Sequence, residues 1–251
     1  MQKIGEIKCE IQAAEPGEYA TLFEKYKEDT RSGVRKLLEQ LHKKEEAYQK
    51  ELLRTEKMKE FERKYEDLGY VCGIDEVGRG PLIGSVVAAC VVLPRDFVLE
   101  GLTDSKKLSE KKRDEFYKVI EDKAIAIGIG IVDERKIDEV NIYEATKVAM
   151  KEAIANCNIK PEHILIDAMP LECGIPTTSI IKGDLKSITI SAASVIAKVT
   201  RDHMMMEMDA LYPEYGFAGH KGYGAAKHIE AIKKYGPCPI HRRTFIKNFM
   251  E

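Results

Sequence analysis

The sequence has almost no net charge: 40 Lys and Arg against 42 Asp and Glu leave −2 over 251 residues. That balance excludes a uniformly basic nucleic-acid coat and leaves room for a local basic face. No apolar run nears the roughly 18 residues of a membrane span, so no membrane partner is expected. The opening MQKIGEIKCEIQ has no apolar signal core, which sets the expectation of a cytoplasmic protein. The six cysteines (Cys9, Cys72, Cys90, Cys157, Cys173 and Cys238) form no CxxC pair, and no short Cys/His spacing suits zinc. They are expected as reduced thiols, most of them packed in apolar surroundings. There is no internal repeat and no low-complexity tract. What remains is a globular composition, 44% hydrophobic and 33% charged, long enough for one sizeable core.

The composition shifts near position 70. From Lys43 to Asp67, 16 of 25 residues are charged, eight of each sign, with no Pro or Gly. Mixed signs favour helix over a self-repelling tail. Val34, Leu37, Leu38 and Leu41 keep a helical beat, as do Met58, Phe61, Tyr65 and Leu68. Two or three amphipathic helices are therefore expected over about 17–67, within a helical extension covering 1–69. Its residues are compatible with a cap on the main domain, a small helical hairpin or an accessory substrate-binding module. Residues 70–251 alternate strand and helix patterns. Tyr70–Asp75, Ser85–Leu93 and Ala124–Val132 read as strands that could form an antiparallel meander. Ile164–Ile166 and Ser179–Ile181 read as short strands separated from the others by helices, which suggests a parallel portion. Helices are expected over Ser109–Asp122, after a capping Asn141, over Lys186–Tyr212 and over Ala225–Tyr235. The class is α/β with a mixed five-stranded sheet flanked by helices and a helical C-terminal portion.

The chemistry concentrates in acids at strand ends: Asp75 and Glu76 after the first strand, Asp167 after the fourth, Asp184 after the fifth. An acid closing an apolar strand is costly unless solvated or bound to a cation. Neighbouring strands would bring these carboxylates together, and divalent cations would remove their repulsion. Oxygen ligands without clustered Cys or His select magnesium or manganese over zinc. Such a set suits a pair of ions acting on a phosphodiester. Singly, each acid could equally cap a helix or sit in a surface ion pair. Gly78-Arg79-Gly80-Pro81 follows the acid pair directly; glycines let a backbone approach a ligand, and Arg79 offers a fork for phosphate. It lacks the Gly-Lys-Ser/Thr ending of a P-loop. Lys106 and Lys107 precede a helix, where backbone donors favour phosphate. From Lys182 to Glu251 eleven basic residues face seven acidic ones, a local +4 against −6 elsewhere. Tyr223, within HKGYG, could stack on a sugar or base, or be an ordinary loop tyrosine. His220, His228 and His241 lack ligand spacing, and Met204–Met206 reads as helix packing.

GIDEVGRGPL, DSKKLS, ILIDAM, IIKGD, AASVIAKVTRD, HKGYG and HRRTF resemble, in order and approximate spacing, bacterial ribonuclease HII over about residues 70–248. The GRG after the acid pair is similar to ribonuclease HII and not to ribonuclease HIII, which usually carries a lysine there. The resemblance implies a ribonuclease H-like fold. It implies that Asp75, Glu76, Asp167 and Asp184 hold two magnesium or manganese ions and carry catalysis. It also implies that Gly78, Arg79 and Gly80 recognise a ribose 2′-hydroxyl, that Tyr223 packs on the following deoxyribose, and that Lys106 lies near substrate phosphates. Lys198 and Arg201 would serve the nucleic-acid backbone too. The implied reaction is hydrolysis 5′ to a ribonucleotide embedded in DNA or in an RNA–DNA hybrid, leaving a 3′-hydroxyl and a 5′-phosphate. Ile83, Ser85 and Ala225 depart from the family's usual residues near the turn. The alternatives are a general hybrid ribonuclease and a silent nucleic-acid-binding module; the latter would be expected to lack a carboxylate, and none is missing. A monomer is expected.

Overall fold

The computed structural model describes residues 2–249 and divides into two compact units, Met1–Lys57 and Met58–Glu251. In the first unit, helices α1 (Ile4–Ala13), α2 (Tyr19–Tyr26) and α3 (Ser32–Met58) enclose a small core of Ile7, Ile11, Leu22, Tyr26, Val34, Leu38 and Leu41. Helix α1 precedes the expected helical stretch: it buries only Ile7 and Ile11, too few positions to set up a visible beat.

The division falls at 57/58, whereas a boundary at 69/70 was expected from composition. The difference is α4 (Glu60–Tyr65), a charge-rich helix whose Phe61 and Tyr65 pack on Val71, Leu165, Ile180 and Ile190 of the second unit. Leu68, the last member of that apolar beat, is exposed, because the chain tightens into a Glu66–Leu68 turn and leaves the helix axis.

The second unit is built on strands β1 (Val71–Val77), β2 (Val86–Val92), β3 (Ala126–Val132), β4 (His163–Asp167) and β5 (Thr177–Ile180), in the order β3-β2-β1-β4-β5. The first three pair antiparallel; β4 and β5 join β1 in parallel. Every residue of β2 is buried, as befits a strand covered on both faces. The helices are α5 (Glu110–Lys123), α6 (Glu134–Val140), α7 (Ile142–Ala155), α8 (Ile188–Leu211), α9 (Phe217–His220), α10 (Ala226–Tyr235) and α11 (Arg243–Ile246). One face of the sheet presents Ile74, Ala88 and Cys90 to Ala145, Ala149 and Ala153 of α7. The other presents Val87, Ala89 and Val91 to α5 and α8. Ser109 caps α5 by accepting the Lys112 N–H, and Asn141 caps α7 by accepting those of Tyr143 and Glu144. Ala225 starts α10 with no side-chain cap. Cys72, Cys90, Cys157 and Cys238 are buried free thiols. Among the described residues no helix is long and apolar enough to cross a membrane.

The alternation of Gly with Ile in β3 has a packing cause. A Cβ on Gly130 would lie 1.9 Å from the Ala149 carbonyl oxygen, and one on Gly128 would lie 2.0 Å from that of Ala153. Helix α7 therefore rests on bare backbone, and its alanines keep that approach close. Gly130→Ala sets backbone against backbone, which exceeds ordinary overpacking of about 1–3 kcal/mol. A loss of at least about 3 kcal/mol is expected, a fall of roughly 6–12 °C in Tm. A thermal melt of the variant matching the parent would refute this account of α7.

Candidate active site

The sheet register assembles the acids. Ile74 of β1 pairs with Ile166 of β4 in parallel, so the next residues, Asp75 and Asp167, project side by side from adjacent strands about 4.8 Å apart. Asp167 pairs with Ile180 of β5, and three residues later the Gly183 N–H donates to Asp167 Oδ1 at 2.7 Å. That bond brings Asp184 to the same end of the sheet. Glu76 follows Asp75 directly; its N–H donates to Asp75 Oδ1 at 2.8 Å, and its Oε1 accepts from Arg79 Nη1 at 3.3 Å.

The electrostatics record the crowding. Burial, followed by the Glu76 charge, pushes the Asp75 carboxyl well above the usual range, against the lowering effect of the Ser194 hydroxyl. Glu76 is raised by burial despite Arg79. Asp184 is raised by burial and by Asp167. Asp75 is also 7% exposed, so solvent does little to screen it. Among the described residues no three His, Cys, Asp or Glu side chains already enclose a common point as a metal cage. The donor set fits hard divalent cations: the carboxylates that could hold them are all oxygen ligands, and their mutual repulsion is the force a cation relieves.

A cleft of about 290 Å³ opens beside Asp75 and Glu76 and is lined also by Ser105, Lys106, Arg113, Ser194, Lys198 and Tyr223. Lys106 is set in a tight turn whose N-cap, Asp104, accepts its N–H at 2.9 Å. Burial works against its charge, but Asp75, Asp104 and Asp184 outweigh that and hold its pKa above the ordinary lysine value. Arg113 of α5 anchors the same turn by donating to the Leu108 and Ser105 carbonyls at 2.6 and 3.2 Å. The Ser105 and Ser194 hydroxyls lie 2.9 Å apart, and Ser194 in turn bonds Asp75. Ser105, Arg113 and Ser194 were not singled out from sequence, although DSKKLS and AASVIAKVTRD contain the two serines. A second cavity, about 310 Å³, opens at the other end of β1 and contains none of the expected site residues.

The glycine turn lies next to this cleft. Arg79 and Gly80 are exposed, and a Cβ on Gly80 would lie 3.6 Å from Tyr223 Cε1, so the ring rests against the turn. Gly78 has φ +93°, and a Cβ there would meet Arg201 Nε at 2.4 Å. Lys198 lines the cleft but donates to Asp202 at 2.6 Å, and burial lowers its pKa. Arg201, expected to reach substrate, is corrected by the structure: it is fully buried and bonds to the carbonyls of Ser85, Ile83 and Lys221. His220, His228 and His241 are packed together behind the turn, with His228 Nε2 3.2 Å from His241 Nε2 and rings of His220 and His228 stacked. His241 is driven to about 4 by burial and by His228, and its backbone bridges to Ile83, so the three buttress the turn.

A mixed five-stranded sheet of this order, flanked by helices, defines a ribonuclease H-like fold. The model of the Ribonuclease HII family matches residues 72–248, and that of the Ribonuclease HII N-terminal domain matches residues 3–66. A ribonuclease HII of Bacillus mycoides is 53% identical over 249 residues, 98% of this chain and 96% of that one. The structure of ribonuclease H2 from Pyrococcus horikoshii superposes with a TM-score of 0.60 at 29% identity, over 72% of this chain and 99% of that one. Bst ribonuclease HIII in complex with Mn2+ shares the fold at 20% identity and a TM-score of 0.53, over 66% of this chain and 61% of that one. The chain belongs to the ribonuclease HII family, divalent-metal-dependent endoribonucleases active on RNA–DNA hybrids.

Burial, followed by the neighbouring Glu76 charge, disfavours the ionised form of Asp75 in the folded chain. A carboxyl raised above its ordinary 3.8 keeps a proton in the folded chain that the unfolded chain has released. Stability therefore falls as pH rises through that window, and the full cost is present above it. In chelator at pH 8, Asp75→Asn is expected to be more stable than the parent by at least about 1 kcal/mol, roughly 2–4 °C in Tm. The gain should shrink at pH 4. A variant less stable than the parent at pH 8 would refute this cost of burying an ionised Asp75 beside Glu76.

Proposed function

We propose that the chain hydrolyses the phosphodiester 5′ to ribonucleotides embedded in DNA or in RNA–DNA hybrids, leaving 3′-hydroxyl and 5′-phosphate ends, and so removes misincorporated ribonucleotides. The observation that carries this reading is one cleft that unites Asp75 and Glu76 with Lys106 and with Tyr223, whose ring rests on the Gly78–Gly80 turn. Acids for cations, a cation for phosphate, an aromatic ring for a sugar and a close-approach backbone turn converge there.

In this reading Asp75, Glu76, Asp167 and Asp184 hold two magnesium or manganese ions. When bound, the ions supply an activated water and charge to stabilise the leaving oxygen. Lys106 neutralises a substrate phosphate, its charge maintained by the acids around it. Arg79, half-committed to Glu76, leaves the turn backbone open to the ribose. Tyr223 packs on the deoxyribose that follows the ribonucleotide, which selects an RNA-to-DNA junction.

The test is a product map. A labelled duplex with one ribonucleotide and a hybrid with an all-RNA strand are each incubated with Mg2+ or Mn2+. Cleavage on the 5′ side of the lone ribonucleotide is expected, with Tyr223→Ala lowering kcat/KM there by roughly tenfold and much less on the all-RNA strand. Equal losses on both would favour a general hybrid ribonuclease. Tight binding without cutting under either ion would leave a silent binding module.

A further inference from the structure

Arg201 of α8 and Arg242, just before α11, are both 0% exposed. Among the described residues neither hydrogen-bonds a carboxylate. A buried guanidinium is tolerable only with its donors satisfied. Arg242 donates to the carbonyls of Gly84 (2.9 Å), Arg79 (3.0 Å), Pro81 (2.8 Å) and Gly78 (2.6 Å). Arg201 donates to those of Ser85 (3.0 Å), Ile83 (3.2 Å) and Lys221 (2.9 Å). The Leu82 carbonyl accepts from the Arg242 backbone N–H at 2.9 Å. From Gly78 to Ser85, therefore, every carbonyl is bound by one of these two arginines except that of Gly80.

Peptide geometry turns this into a statement about the opposite side of the turn. All peptide bonds here are trans, so each carbonyl is antiparallel to the N–H of the next residue. Drawing the Gly78 and Arg79 carbonyls onto Arg242 points the N–H groups of Arg79 and Gly80 away from it. Neither N–H has a protein acceptor among the described residues. The turn thus offers two adjacent donors and one free acceptor, the Gly80 carbonyl. A hydroxyl both donates and accepts, and matches that set; a 2′-deoxy position does neither. Arg201 extends the same frame to the Lys221 carbonyl, two residues before Tyr223.

We propose that Arg242 and Arg201 are positioning residues for ribose discrimination: two buried guanidiniums pull the turn's carbonyls inward and thereby present its amides to a 2′-hydroxyl. This rests on the reading of the cleft as a ribonucleotide-cleaving site. Lysine keeps the charge but cannot span four carbonyls with a planar fork.

The measurement is duplex affinity in chelator, by fluorescence anisotropy, for one sequence with and without a single ribonucleotide. The parent is expected to favour the ribonucleotide duplex by about fivefold or more. Arg242→Lys and Arg201→Lys should bring that ratio to within about twofold of unity while the all-deoxy affinity stays put. A general structural role would instead weaken both duplexes together, and that outcome, or a retained ratio in either variant, overturns the proposal. Should neither variant fold, hydrogen exchange on the parent decides. Amides in the 78–82 peptide should slow with the ribonucleotide duplex and not with the all-deoxy one; equal slowing overturns the proposal. A parent that fails to nick the ribonucleotide duplex in Mg2+ or Mn2+ would instead overturn the underlying reading. A parent that nicks it while Arg242→Lys keeps the ratio removes this inference alone.

Discussion

The parallel pairing of β1 with β4 is the constraint on which the rest of the molecule depends. One register places Ile74 beside Ile166 and hence Asp75 beside Asp167. A slip by a single residue would turn one carboxylate to the far face. The same central strand is held on its other side by β2, buried along its whole length. The acids therefore stand on the least deformable part of the sheet, and their repulsion is opposed by packing on both faces. That is why burial can hold Asp75 and Asp184 above the ordinary carboxylate range instead of the site opening to water.

Around this rigid end the chain places its adjustable parts on loops, each tied to a helix. The Lys106 turn is anchored by Arg113 of α5 and by the Ser105–Ser194 contact with α8. The glycine turn is tied to α8 by Arg201 and to the C-terminal segment by Arg242. Helix α8 thus touches every part of the cleft: Ser194 meets Asp75, Lys198 lines the wall, and Arg201 braces the turn. Loops form the rim of the cleft, and the helix supplies their mutual registration.

Much of the fold was legible because it rests on periodic signals. The apolar run of β2, the period-two Gly and Ile of β3 and the caps Ser109 and Asn141 each mark an element through local physics. The elements that escaped detection have weak local signals: α1 buries only Ile7 and Ile11, α6 only Ile137, and α9 is a single turn. The composition changes near 70 and the packing changes at 57/58; between them lies α4, whose charges continue the helical extension while its two partly buried aromatics pack on the second unit.

For the candidate site, strand ends singled out the four acids, since an acid closing an apolar strand is anomalous whatever surrounds it; the GRG turn, Lys106 and Tyr223 stood out by glycine, charge and ring, and drew their roles from the family resemblance. Sequence alone determined which chemistry the chain could offer and on which elements. Tertiary structure decided what each basic residue does with its charge. Arg79, Arg201 and Arg242 are identical side chains, yet one is exposed beside Glu76 and two are sealed under a turn, holding carbonyls. Burial and the direction of a backbone carbonyl are set by neighbours more than a hundred residues away, and no local pattern records them.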